Sequence, residues 1–126
     1  MNDLQRISDY ELELMKSIWS CGGVANYAQI YKVLEDKGTP WTKNTIITLL
    51  ARLCDKDYVE KAKVGLHKNQ YTALIFEAEY QAEQTENLLD KVYEGNAKGL
   101  VATLIRKELL SPSEYEELKK QWEDSE

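Results

Sequence analysis

The side chains best suited to chemistry in this sequence are hydroxyls, an amide and cations crowded into one stretch, TKNTIITLLARLCDK, at residues 42–56. At about 100° per residue on a helix, Asn44, Thr48, Ala51 and Asp55 point one way, and Lys43, Thr45, Ile47 and Arg52 flank them. Short hydroxyl and amide side chains allow close approach and carry hydrogen-bonding tips. Base edges in a DNA major groove accept such a surface, and a cation adds a partner for guanine or phosphate. A solvated helix face would usually hold more Glu and Lys, so the face is either a groove reader or an ordinary surface, and its neighbours have to decide. A second group, Lys61, Lys63, His67 and Lys68, follows closely. Its chemistry is phosphate contact, which sets register without reading sequence, although His67 serves equally well as a solvent-exposed turn residue.

The positioning elements can be read from spacing. Ile46, Leu49, Leu50 and Leu53 recur at i, i+3, i+4 and i+7, so the opposite face of the same helix enters a core. Thr42 is placed to cap it, and Pro40 discourages an earlier start. Upstream, Ser8-Asp9-Tyr10-Glu11 is a capping box, followed by Leu12, Met15, Ile18 and Trp19 on one face, with Ile7 as a staple. Cys21-Gly22-Gly23 ends this helix. A second helix is expected from about Ala25 to Lys37, with Ile30, Val33 and Leu34 inward, Tyr27 and Tyr31 near its edge, and Gly38 in the left-handed cap position. Trp41 reads as a packing residue beneath the next turn rather than a ligand platform.

After Lys56 the period becomes strand-like. Residues 58–64 alternate, 65–69 have turn chemistry, and 70–73 can pair back. An isolated hairpin is marginal in water, so this one must rest on the helices through Val59 and Tyr71. Three helices and a hairpin with a basic tip make a winged helix-turn-helix. The expected fold class is mainly α with a small β-hairpin, a winged helix-turn-helix at 1–75 and a C-terminal helical dimerisation domain at 76–126.

In that tail, helices are expected at about 76–93 and 97–108, broken by Gly95-Asn96, and after Ser111-Pro112-Ser113-Glu114, a cap with Pro at the first helical position. Leu88, Leu89, Val92, Leu100, Val101, Leu104, Ile105, Leu118 and Trp122 are too many apolar groups for so short a segment to bury alone, which points to a second copy and a two-fold homodimer. Charge divides at the same place. Residues 1–75 hold 10 Lys+Arg against 9 Asp+Glu, net +1, and residues 76–126 hold 6 against 13, net −7. The N-terminal part can approach phosphate, with weak and salt-sensitive non-specific affinity.

Other classes find little support. No apolar run approaches a membrane span and the N-terminus lacks a signal-peptide layout, so the expected location is cytoplasmic, without membrane insertion. Cys21 and Cys54 form no CxxC or Cys/His cluster, and no metal or cofactor is expected. With one His, no phosphate loop, no nucleophile elbow and no metalloprotease spacing, the chain reads as a non-enzyme.

The order ISDYELELMKSIW, PWTKNTIITLLARLCDKDYV, a short wing and LLDKVYEGNAKGLVATLIRKELLSPSEYEELKKQ resembles the penicillinase and methicillinase repressors (BlaI/MecI), whose wider group includes copper-responsive CopY-type repressors. The resemblance spans Ile7 to Gln121 and is most specific at Trp41 to Leu53 and Leu110 to Leu118. It implies a cytoplasmic homodimer on a palindromic double-stranded DNA operator ahead of β-lactam resistance genes. It also implies relief by a sensor-linked protease that cuts the C-terminal helical part. Thr45, Thr48 and Arg52 match the family pattern, whereas Asn44 and Ile47 stand where those repressors carry basic residues. Ile47 is thus suited to a thymine methyl, and an altered operator preference is expected. The family's Asn-Phe cleavage pair aligns with Thr103-Leu104, and no cysteine lies beyond Cys54 to form a copper cluster. Two alternatives stay open: a winged-helix protein–protein interaction module, and a repressor answering a different signal, such as a redox event at Cys54.

Overall fold

The computed structural model describes residues 4–38 and 41–125, so the expected Thr39-Pro40 turn lies outside the described residues. Its elements run α1 (Asp9–Ser20), β1 (Val24–Asn26), α2 (Tyr27–Asp36), α3 (Lys43–Asp55), β2 (Val59–Gly65), β3 (Lys68–Ala73), α4 (Glu77–Tyr93), α5 (Ala97–Arg106) and α6 (Pro112–Asp124). They form two compact units, one reaching to Glu83 and one of Gln84–Glu126. The first keeps the opening turns of α4 because Tyr80 packs on Trp19 and Tyr58, with ring centroids 5.9 and 6.2 Å away.

The core of the first unit gathers Leu14, Met15 and Ile18 of α1, Ile30 and Leu34 of α2, and Ile46, Leu49, Leu50 and Leu53 of α3, closed by Tyr58, Val59, Tyr71 and Ala73. The α3 stripe is thus buried as its spacing requires. In α1 the buried stripe is Glu11, Leu14, Met15 and Ser17–Ile18, and Leu12 is only half-buried. A charged residue at the first position of the i, i+3, i+4, i+7 series hides that stripe from an apolar pattern.

Val24–Asn26 is a strand rather than the opening of a helix. It pairs antiparallel with β3 (Val24↔Thr72, Ala25↔Tyr71, Asn26↔Gln70) in a sheet ordered β1-β3-β2. Helix α2 therefore starts at Tyr27, behind a capping box in which Asn26 and Gln29 exchange two 2.9 Å hydrogen bonds. Val59 and Tyr71 are buried and seat the hairpin on the helices. Trp41 is half-buried against the core and meets Tyr10 edge-on at 5.4 Å.

Glu11 is 2% exposed. Its Oε1 accepts from the Ser8 backbone N–H at 2.7 Å and from Lys56 Nζ at 2.9 Å, and Lys56 also donates to the Arg6 carbonyl at 3.0 Å. Burial opposes ionisation, but the Ser8 backbone N–H, the Lys56 ammonium and the Ser8 hydroxyl together hold the carboxyl below its ordinary 4.5. A depressed carboxylate adds stability that is fully present above its unfolded value and is lost as pH falls through the folded one. Glu11→Gln should therefore cost about 2 kcal/mol near neutrality. The gap to the wild type should narrow in denaturant titrations taken down to about pH 3; a gap independent of pH would contradict this account of the pair.

In the second unit the caps are well formed. Asn96 Oδ1 accepts from the Gly99 N–H at 3.0 Å, and Ser111 and Glu114 complete a capping box ahead of Pro112. Glu94 (φ 51°) and Gly95 (φ 83°) take left-handed backbone between α4 and α5. No residue of α4, α5 or α6 is buried, although Val92, Val101, Ile105, Leu118 and Trp122 are all exposed. Among the described residues, no helix is long and apolar enough to cross a membrane, and no group of three or more His, Cys, Asp or Glu could hold a metal.

Candidate nucleic-acid interface

Helix α3 presents the two faces its sequence encodes. Opposite its buried leucines, Lys43, Asn44, Thr45, Ile47, Thr48, Ala51 and Arg52 are all exposed. Thr42 caps the helix by accepting from the Thr45 N–H at 3.2 Å, and the two threonine hydroxyls lie 3.0 Å apart. The Thr45 hydroxyl is therefore oriented by the cap, while Asn44 and Thr48 present their polar tips on the open face. Arg52 stands one turn from the C-terminal end of the helix.

Lys43 leans its ammonium over the ring of Tyr27, 5.5 Å from the centroid, and Tyr27 stacks on Tyr31 at 6.0 Å. The cation–π contact keeps the Lys43 charge on the α2 side of the helix. Between the start of α2, the outer face of α3 and the hairpin lies an open cleft of about 380 Å³, lined by Tyr27, Lys43, Ile47, Val64, His67 and Lys68 among others. It unites the cations at both ends of the expected interface around an apolar floor.

Lys61 and Lys63 do not line that cleft. They pair across from Tyr71 and Asn69, which places them on the helix-facing side of the ribbon. Lys61 is close enough to act electrostatically on Cys54. Burial pushes the Cys54 thiol up, Lys61 opposes this and Asp55 adds to it. A raised thiol is a poor nucleophile near neutrality, which leaves a redox role for Cys54 without chemical support. Tyr27 and Val64, together with Asn26, Ala28, Asn69 and Tyr71, line this surface without being among the DNA contacts expected from the sequence. The i, i+4 spacing of Tyr27 and Tyr31 was the available signal for the first.

Of the residues expected to join two copies, Leu88, Val92, Val101, Ile105, Leu118 and Trp122 are exposed, and Leu89, Leu100 and Leu104 are half-buried. Val101, Leu104, Leu118 and Trp122, with Leu110 and Tyr115, line an apolar cleft of about 590 Å³ in the second unit. Thr103 and Leu104 lie inside α5, where the Thr103 hydroxyl donates to the Gly99 carbonyl at 3.0 Å. A protease that needs extended backbone would meet helix there.

A family model described as penicillinase repressor matches residues 7–124. The methicillin resistance regulatory protein MecI of Mammaliicoccus sciuri is 32% identical over 120 residues, covering 94% of each chain. A penicillinase repressor of Bacillus licheniformis is 33% identical over 118 residues, covering 94% of this chain and 90% of its own. Among solved structures, the DNA binding domain of the repressor BlaI matches at 38% identity with a TM-score of 0.52, covering 64% of this chain and 94% of that one. So does the Bacillus licheniformis BlaI monomeric form in complex with the blaP half-operator, with the same identity, coverage and TM-score.

Proposed function

We propose that this chain, which belongs to the penicillinase repressor family, is a DNA-binding transcriptional repressor, acting as a homodimer on a palindromic operator of β-lactam resistance genes. One observation carries the reading. The helix whose apolar face is wholly buried turns a short, hydroxylic face outward, in a domain that matches a structure solved on a half-operator. Residues 1–75 are the reader and 76–126 the joining segment. Thr48 and Asn44 address base edges, Ile47 a thymine methyl, and Arg52 a base or phosphate, while Lys43, Lys61, Lys63, His67 and Lys68 hold the backbone. Repression works by occupancy, so no catalytic group is required. Relief by a sensor-linked protease at Thr103 and Leu104 would require α5 to unwind first.

The test separates reading from holding. Thr48→Ala should cut the preference for operator over random duplex by about tenfold, whereas Lys68→Ala should weaken both equally and lower the salt slope by about one. Fluorescence anisotropy across a salt series measures both. Equal losses on operator and random duplex for Thr48→Ala would remove its assignment. The near-neutral charge of residues 1–75 favours a second reading, a protein-interaction module. A dimer that binds no duplex at low salt would establish it.

A further inference from the structure

We infer that Leu66, at the tip of the wing, is an apolar wedge that enters the DNA minor groove beside each half-site and makes the protein sensitive to base pairs that α3 never touches. The inference rests on the DNA-binding reading proposed above.

Gly65 and Lys68 are the last pair of the hairpin, so Leu66 and His67 alone turn the chain. His67 takes the left-handed backbone at φ 60°. Such turns ordinarily use Asn, Asp or Gly, none of which presents an apolar side chain to water. Leu66 is instead 86% exposed, and Val64 behind it is 58% exposed. An apolar side chain held at the end of a projecting ribbon contributes nothing to the core, yet His67 follows it directly, and Lys68 two residues after it and Lys63 three residues before it put a cation on each strand behind the tip. Apolar tip and basic shoulders match a groove whose floor is base edge and whose walls are phosphate. A purely hydrophobic protein partner would not use the shoulders.

The tip is continuous with the proposed interface, because Val64, His67 and Lys68 share the cleft with Lys43 and Ile47. Width decides how it can enter. Two strands about 4.8 Å apart, with their side chains, are too broad for a minor groove about 6 Å wide, whereas a single side chain at the turn fits. Apolar wedges of this kind unstack a base step, most easily at pyrimidine–purine steps, and a guanine 2-amino group on the groove floor obstructs them.

The experiment uses the full chain and the duplex that wild-type protein protects in the DNA flanking its own gene, with the pairs beside each half-site made A·T, inosine·C or G·C. Inosine·C keeps the minor-groove pattern of A·T and changes only the major groove. Wild type should bind the first two alike and the G·C duplex about tenfold more weakly. Leu66→Ser, at an exposed position, should melt like wild type, lose about tenfold on the A·T duplex and bind all three alike; Leu66→Met should restore the preference. Equal wild-type affinity for the three duplexes, or wild-type DNA affinity in Leu66→Ser as expected of a protein-docking residue, would overturn the wedge while leaving the DNA-binding reading intact. A wild-type chain that binds no duplex would overturn both.

Discussion

Val101→Asp combined with Leu118→Asp should yield a monomer whose affinity for a two-half-site duplex is at least about 100-fold lower than that of the wild type. Both residues are exposed, on helices that bury nothing among their own side chains, and both border the apolar cleft with Leu104 and Trp122. A carboxylate at either place would have to be desolvated in a packed interface, a cost that association cannot recover. The winged-helix unit has its own core and should melt normally. Only the linkage between two half-site contacts is lost, and linkage alone accounts for the drop. Sedimentation gives the assembly state and anisotropy gives the affinity; a variant that stays dimeric would place the joining surface elsewhere. Because residues 76–126 carry net −7, wild-type dimerisation should also strengthen as salt rises, opposite to the salt dependence of DNA binding.

Leu50→Ala should destabilise the protein by about 2–5 kcal/mol, read as a large fall in melting temperature, because Leu50 is fully buried in the core to which α1 and α3 both contribute, and removing its side chain leaves a cavity there. Thr48, two residues earlier and on the other side of the same helix, should behave oppositely. Its replacement by Ala should change stability by no more than about 0.5 kcal/mol, with the loss appearing in base preference. If Leu50→Ala melted like the wild type, or if Thr48→Ala unfolded the domain, the assignment of faces on α3 would be reversed.

Legibility in the sequence followed from how strongly each element is punctuated. Helix α3 was readable because four apolar residues repeat at helical spacing behind a Thr cap, and its outer face follows from the same periodicity. The wing was readable because a change of period follows at Tyr58, and the α6 start because Ser111-Pro112-Ser113-Glu114 joins a capping box to a Pro at the first helical position. Strand β1 was not. Three residues are too few to show alternation, and Val24–Asn26 becomes a strand only because β3, about 45 residues later, offers it a partner. The spacing from Ser8 marks Glu11 as half of a capping box; that it also occupies the core stripe depends on Lys56 arriving from the end of α3. The cleft between α3 and the wing, with Tyr27 under Lys43, is tertiary geometry and leaves only a tyrosine pair in the sequence.

Two copies of the outer face of α3 are expected to sit among base edges, one in each half-site. Methylation interference on the DNA flanking the gene tests it most directly, since methylation at guanine N7 blocks the major groove alone. Interfering positions should fall in two patches related by a dyad, with centres about 34–36 Å apart or a multiple of that. Interference confined to one patch, or binding indifferent to every major-groove methyl group, would contradict it.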